Sequence, residues 1–200
     1  MDDVLRIVLP LYLLAFFGIA FVWRSVLVWK QTGINPYVLG KTDNAHDFIG
    51  VIFRLTLALI VVVIIVFAFF PPFYQYAAPF VWIENQAVKS TGLGLLVASL
   101  VWTAIAQVQM GASWRIGIDR ENRTGLVQKG LFKISRNPIF LGMRFALLGF
   151  FMTLPNAITL LAMVLGDVLM QIQVRLEEEF LSNAHGENYK IYLQNVRRWI

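Results

Sequence analysis

The chain has 200 residues, of which 58% are hydrophobic and only 14% charged, with a formal net charge of +5. That balance is too apolar for an ordinary soluble domain. Cysteine is absent, which excludes disulfides, thiolate metal sites and a cysteine nucleophile.

The hydrophobicity is gathered into blocks. Val4 to Trp29 is the first, with Arg6 near its start and Arg24 near its end; Phe48 to Phe70 is the second, interrupted by Arg54. Thr91 to Gln109 is the third, and Ile139 to Leu154 and Ala157 to Val174 form a fourth and fifth around Pro155-Asn156. A helix needs about 20 residues to cross the hydrocarbon core, with about 17 as the short limit. The first three blocks qualify. The last two are marginal, and a tight, incompletely spanning hairpin suits them better than two independent crossings. The sequence therefore predicts an all-α integral membrane bundle of about five helices. It is one domain over 1–200: three membrane helices in 1–110, then a loop, a helical hairpin and an amphipathic tail in 111–200. Asp2 and Asp3 make the first block a poor signal peptide, so it is read as a retained helix.

Basic residues near the spans set the expected orientation. Lys30 and Lys41 lie between the first two blocks; Arg115, Arg120, Arg123, Lys129, Lys133 and Arg136 lie between the third and fourth; Lys190, Arg197 and Arg198 are in the tail. The segment Pro71 to Ser90 has only Lys89, balanced by Glu84. Five crossings place all three basic regions on the cytoplasmic side, with the C-terminus, in the inner membrane if the cell is bacterial. The positive charge then reports topology and implies no nucleic-acid partner.

Arg144 and Asp167 lie in the fourth and fifth blocks, equally far from the turn. Each costs about 2.5–3.5 kcal/mol at a helix centre in lipid, so an ion pair locking the hairpin is expected. A second reading has the pair lining a polar cavity with Gln171 and Gln173. The same mirror counting sets Arg136 opposite Arg175 and Lys133 opposite Glu178. Asn137 is a favoured N-cap and Pro138 a favoured first helical residue. Such a helix start beside Arg136 suits a carboxylate or phosphate. Glu177, Glu178 and Glu179 gain nothing from an anionic lipid surface, and suit an ammonium or sulfonium group instead.

These residues resemble the superfamily of isoprenylcysteine carboxyl methyltransferases and phospholipid N-methyltransferases. The resemblance covers roughly Gln109 to Ile200, through Gly111 and Trp114; Leu126, Val127, Gly130 and Phe132; Arg136-Asn137-Pro138-Ile139-Phe140-Leu141-Gly142; Arg175, Glu177, Glu178 and Leu181; and Gly186, Tyr189 and Tyr192. It implies that the C-terminal half binds S-adenosylmethionine and that a lipid-like acceptor enters laterally from the bilayer. By position, Arg136, Asn137 and Glu178 would hold the methionine end, with Glu177 helping or orienting Arg136. Pro138 and Phe140 belong to the same motif. Leu126 to Leu131, including Gln128, Lys129, Gly130 and Leu131, would border the adenosine. Asn137 stands where the family has histidine, and Phe132 and Phe140 where it has tyrosine, so an imidazole and two hydroxyls are missing.

Methyl transfer from a sulfonium needs alignment and desolvation more than a metal or a covalent nucleophile. The missing histidine mildly favours an anionic, carboxylate-like acceptor over an amine that must first lose a proton. Arg144 is the residue expected to attract it, so Arg144 and Asn137 are the candidate catalytic residues. Two rival readings are an NADPH-dependent sterol or enone reductase of related helical architecture, and a non-enzymatic membrane subunit. Asp43 and His46 have the spacing of half a metal site, but an N-cap at Asp43 with Asp47 in the first turn explains them more simply. That loop is also placed to fold over the cofactor mouth. Tyr74, Tyr76 and Trp82 fit an interfacial aromatic belt. Val196 to Ile200 reads as an amphipathic end lying on the membrane.

Overall fold

The structure, a computed structural model, describes residues 1–38, 45–119, 122 and 124–200. Asp43, Lys41, Arg120 and Arg123 therefore lie outside the described residues. The long helices are α1 (Asp2–Thr32), α2 (Ala45–Phe69), α3 (Gln86–Met110), α4 (Pro138–Thr153), α5 (Ala157–His185) and α6 (Glu187–Asn195). Short 3-10 turns occupy Pro71–Ala77, Gly111–Ser113 and Gly130–Lys133. Among the described residues there is no strand, only two isolated bridges.

Among the described residues, four helices are long and apolar enough to cross a membrane: α1, α2, α3 with its 3-10 extension, and α5. Helix α4 has 16 residues, so it reaches about 24 Å against a hydrocarbon core of about 30 Å. The hairpin of two marginal arms expected from the sequence thus has one short arm, α4. Its other arm is longer than its apolar block. Helix α5 runs through the acidic triplet to His185 because Leu and Glu are strong helix formers, and it stops at Gly186, where φ is +56°.

Helix α1 widens into a π-helix over Gly18–Trp23, a form that exposes backbone groups to side chains outside the helix. Here the Ala20 carbonyl accepts from Gln107 Nε2 at 3.0 Å, one link between α1 and α3. Arg24, next along the helix, is buried and donates to the Gly111 carbonyl at 2.5 Å. It is a cation set on the negative end of α3 rather than a headgroup arginine.

Helices α3 and α4 pack most closely, through glycines. A Cβ at Gly92 would lie 2.7 Å from the Thr153 amide nitrogen and 2.9 Å from the Gly149 carbonyl oxygen, and one at Gly142 would meet Thr103 Oγ1. Small residues let membrane helices approach to this distance. Gly92→Ala is therefore expected to destabilise by about 1–3 kcal/mol, the usual range for overpacking. Gly94→Ala, where a Cβ meets nothing within 4 Å, should leave the midpoint unchanged or raise it. Thermal unfolding of both variants in detergent checks the pair.

The face at the hairpin turn is tied by polar contacts. Asn156 caps α5 by accepting from Ile158 and Thr159 N–H groups, and its Nδ2 donates to the Tyr74 hydroxyl at 3.1 Å. Phe80 N–H donates to the Pro155 carbonyl at 2.8 Å and Ala157 N–H to that of Ala78 at 3.2 Å. Lys89 pairs with Glu84 at 2.5 Å and with Asp2 at 2.6 Å. Tyr76 and Trp82 are exposed, as a belt requires, whereas Tyr74 is part of the turn.

Candidate functional site

At the other end of the hairpin, Ser135 Oγ accepts from the Asn137 N–H at 3.1 Å and positions the start of α4. Asn137 occupies the N-cap position, but its side chain does not cap. Its Nδ2 donates instead to Glu178 Oε1 at 3.2 Å and to the Arg198 carbonyl at 3.3 Å. A charged acceptor outcompetes a neutral arrangement at the helix end. The first-turn N–H groups of Ile139 and Phe140 are thereby left without a side-chain cap, and both residues line a cavity of about 470 Å³. That volume is within the range of small-molecule sites, about 300–1,000 Å³.

Glu178 is the centre of a buried charge cluster. It takes Arg136 Nε at 3.1 Å and Arg136 Nη2 at 3.0 Å, together with Arg198 Nη2 at 2.8 Å. Arg136 Nη1 donates to the Val196 carbonyl at 2.5 Å, and Arg136 N–H to that of Arg197 at 2.9 Å. Mirror counting had set Arg136 opposite Arg175. It meets Glu178 instead, because residues 134–137 are not α-helical and rise further per residue than a helix does. The tail differs from its expected form for the same reason. Helix α6 ends at Asn195, and the residues after it cross the start of α4, where their carbonyls meet donors from Arg136, Ser135 and Asn137. Trp199 covers Arg144, with the guanidinium carbon 4.4 Å from the ring centroid.

One residue away, Glu177 points elsewhere. A helix turns about 100° per residue, so Glu177 lines the cavity while Glu178 sits behind its wall. Gln173, one turn earlier, also lines the cavity and donates to Glu177 Oε1 at 3.0 Å. Tyr189 and Tyr192 complete this end. The Tyr192 hydroxyl donates to the Phe132 carbonyl at 2.6 Å. Burial pushes the Tyr192 phenol up to about 12, and burial followed by the nearby Glu178 charge raises that of Tyr189. Both therefore stay neutral at physiological pH.

Of the residues singled out in the sequence, Arg136, Asn137, Pro138, Phe140 and Glu177 line the cavity. Gln128, Lys129 and Gly130 are exposed, and it is Leu126 and Val127 that reach the wall. Gly130, at φ +60°, is needed because Gln109 fills the space a side chain would take. Leu131 N–H donates to Gln109 Oε1 at 2.7 Å. Arg144 is 2.5 Å from Asp167 and is not part of the cavity wall, so the pair has the hairpin-locking geometry. Gln171 accepts from Arg175 at 3.0 Å.

Sequence reasoning missed the N-terminal half of the site. Phe17 and Phe21 of α1 and Phe53, Arg54 and Leu57 of α2 are cavity residues. The spacing of Gly50, Phe53, Arg54 and Leu57 marks one helix face, a signal that was there to find. Pro36 to Val38 bridge to Ile116, with Val38 N–H donating to the Ile116 carbonyl at 3.0 Å and Ile116 N–H to that of Pro36 at 2.8 Å. Tyr37 and Ile116 both line the cavity, so residues 36–38 border it, while residues 39–44 lie outside the described residues.

A membrane helical bundle with an intramembrane small-molecule cavity, its polar end built by one helix start and one buried carboxylate, defines the class. The phospholipid methyltransferase family matches residues 87–188, just over half of the chain, and the protein belongs to that family, within the superfamily that also holds the isoprenylcysteine carboxyl methyltransferases. The matched span carries α3, the hairpin and both glutamates. No curated protein matches the chain.

Proposed function

We propose that the protein transfers a methyl group from S-adenosylmethionine to a small hydrophobic or lipid-like acceptor that enters from the bilayer. The observation that carries this reading is a single cavity joining the polar end at Arg136, Asn137 and Glu177 to the apolar faces of α1 and α2. The residues fit the donor. The uncapped N–H groups of Ile139 and Phe140 suit its carboxylate. Glu177, whose contact with Gln173 leaves acceptor capacity open, suits its ammonium. Trp114, Leu126, Val127 and Phe132 offer an apolar wall for its adenosine. When bound, S-adenosylmethionine supplies a methyl group on an already activated sulfonium leaving group.

The chain's own residues then align and desolvate. Arg136 is held by Glu178 and by the tail, so it fixes the helix start without swinging into the cavity. Phe17, Phe21 and Phe53 exclude water and hold the acceptor's apolar body. The basic residues beside α1, α4 and the tail support a cytoplasmic position for this end.

The NADPH-dependent reductase is the second reading, favoured by the six basic residues before α4. Against it, Arg115 is matched by Asp119, Arg136 is matched by Glu178, and Glu177 faces the cavity. Two of the six are thus matched, and a cavity carboxylate disfavours a dinucleotide phosphate. Thermal-shift measurements decide between them. S-adenosylmethionine at about 100 times its dissociation constant should stabilise the fold by about 2.7 kcal/mol, while NADPH leaves the midpoint unchanged. Stabilisation by NADPH alone overturns the proposal, and binding of neither cofactor by calorimetry points to a non-enzymatic subunit.

A further inference from the structure

Gln107 of α3 lines the cavity and is otherwise enclosed by protein, with only 4% of the residue exposed. Its Nε2 donates to the Ala20 carbonyl at 3.0 Å. A carbonyl can only accept, so this contact fixes which way round the amide stands. Ala20 belongs to the π-helix over Gly18–Trp23, and helices of that kind recur at functional sites. The Gln107 Oε1 is left over: among the described residues no group donates to it. An amide oxygen taken out of water and left unmet costs about 1–3 kcal/mol. A methionine would fill the same space without that cost. Because Gln107 is a wall residue, the cavity is where a donor reaches the oxygen.

The helix says which side of the cavity this oxygen serves. Two residues on, and about 200° around α3, Gln109 faces the segment of Gly130 and Leu131 and accepts from the Leu131 N–H at 2.7 Å. That segment follows Leu126 and Val127, on the wall suited to adenosine. Gln107 faces the other way, toward α1. There Phe17 and Phe21 line the cavity as a tilted pair, with ring centroids 5.6 Å apart. A molecule resting on those rings meets an acceptor oxygen amid aromatic carbon. An ionised carboxylate or phosphate has no proton to give it, whereas a hydroxyl or an N–H group matches it. A site built to hydrogen-bond such a group discriminates against the analogue that lacks it.

We propose that Gln107 sets the specificity of the α1 side of the cavity by accepting a hydrogen bond from an O–H or N–H group on the acceptor. Calling that molecule the methyl acceptor rests on the methyltransferase reading; the hydrogen-bond site does not. The test uses the full chain in maltoside micelles, titrated by calorimetry with para-hexylphenol, with para-hexylanisole and, separately, with S-adenosylmethionine. The two aromatic probes differ in a hydroxyl against a methyl ether. Their partition into micelles is common to wild type and variants, so the comparison between proteins is free of it. Wild type should bind the phenol more tightly than the anisole. Gln107→Met should weaken the phenol by about 3- to 10-fold, the usual worth of a hydrogen bond, and leave the anisole unchanged. Gln107→Glu keeps an acceptor oxygen in either protonation state and should keep the preference for the phenol. Affinity for S-adenosylmethionine should stay within about twofold in Gln107→Met, since the residue is turned from the adenosine wall. Equal affinity of the wild type for the two aromatic probes overturns the proposal, because the oxygen then keeps only water. An equal loss for both probes in Gln107→Met also overturns it, since packing alone would explain the residue. Weakened S-adenosylmethionine binding with the phenol preference intact assigns the oxygen to the donor and overturns the acceptor assignment. If S-adenosylmethionine fails to bind the wild type while the phenol preference and its dependence on Gln107 persist, the methyltransferase reading falls and the hydrogen-bond site stands.

Discussion

Replacing Glu178 with alanine is expected to release the C-terminal tail and to lower the thermal midpoint of the protein in detergent. The Glu178 carboxylate is buried and receives two guanidiniums and an amide, from Arg136, Arg198 and Asn137. Removing one partner of a buried ion pair costs about 3–5 kcal/mol, because the other charge stays buried and uncompensated. The Arg198 side chain is 33% exposed, so solvent screens part of its share, and about 3 kcal/mol is the expected loss. Arg198→Met should cost less than Glu178→Ala. The double variant should cost less than the two single changes added together, since both act on one cluster. Hydrogen exchange or limited proteolysis over residues 196–200 supplies the structural readout. A tail that stays protected in Glu178→Ala, with an unchanged midpoint, would overturn the latch.

How far the sequence reveals this arrangement depends on whether the backbone is regular. Composition marks the spans because lipid demands long apolar runs, and four of the blocks lie on helices long enough to cross. Equal distance from the turn brings Arg144 to Asp167 because both arms are α-helical there, with the same rise per residue. The same counting fails at Arg136, where the chain has left the helix. Asn137 was recognisable as the residue at the start of α4, but not as an amide turned toward Glu178, because that choice is made by a carboxylate 41 residues away. The tail was misread for a related reason. Arg197, Arg198 and Trp199 have membrane-surface composition, yet the carbonyls that Arg136 and Asn137 need are on that segment. Gly130 carried a visible signal with the wrong neighbour attached, since Gln109 rather than a ligand fills its side. The α1 and α2 walls went unread because a hydrophobic helix face looks the same whether lipid, core or a cavity lies against it. Arg54 was the one polar mark on it.

Glu177→Gln is expected to give the opposite signature to Glu178→Ala, although the two residues are adjacent. Glu177 has a neutral partner, Gln173, and faces the cavity, whereas Glu178 is locked in the charge cluster behind it. A glutamine keeps the shape and the contact with Gln173 while removing a carboxylate that has no ion-pair partner among the described residues. The thermal midpoint of the free protein should therefore hold or rise slightly. Donor affinity should fall instead. A hydrogen bond to a charged group is worth about 1.5–3 kcal/mol, which is a loss of about 10- to 100-fold in S-adenosylmethionine binding. Glu177→Asp keeps the charge, pulls it back by one methylene, and should lie between the two. Calorimetry with S-adenosylmethionine beside thermal unfolding of the unliganded variants separates the roles. Undiminished donor binding in Glu177→Gln would mean that the cationic end of the donor is held elsewhere, and the cavity assignment would have to be reversed end for end.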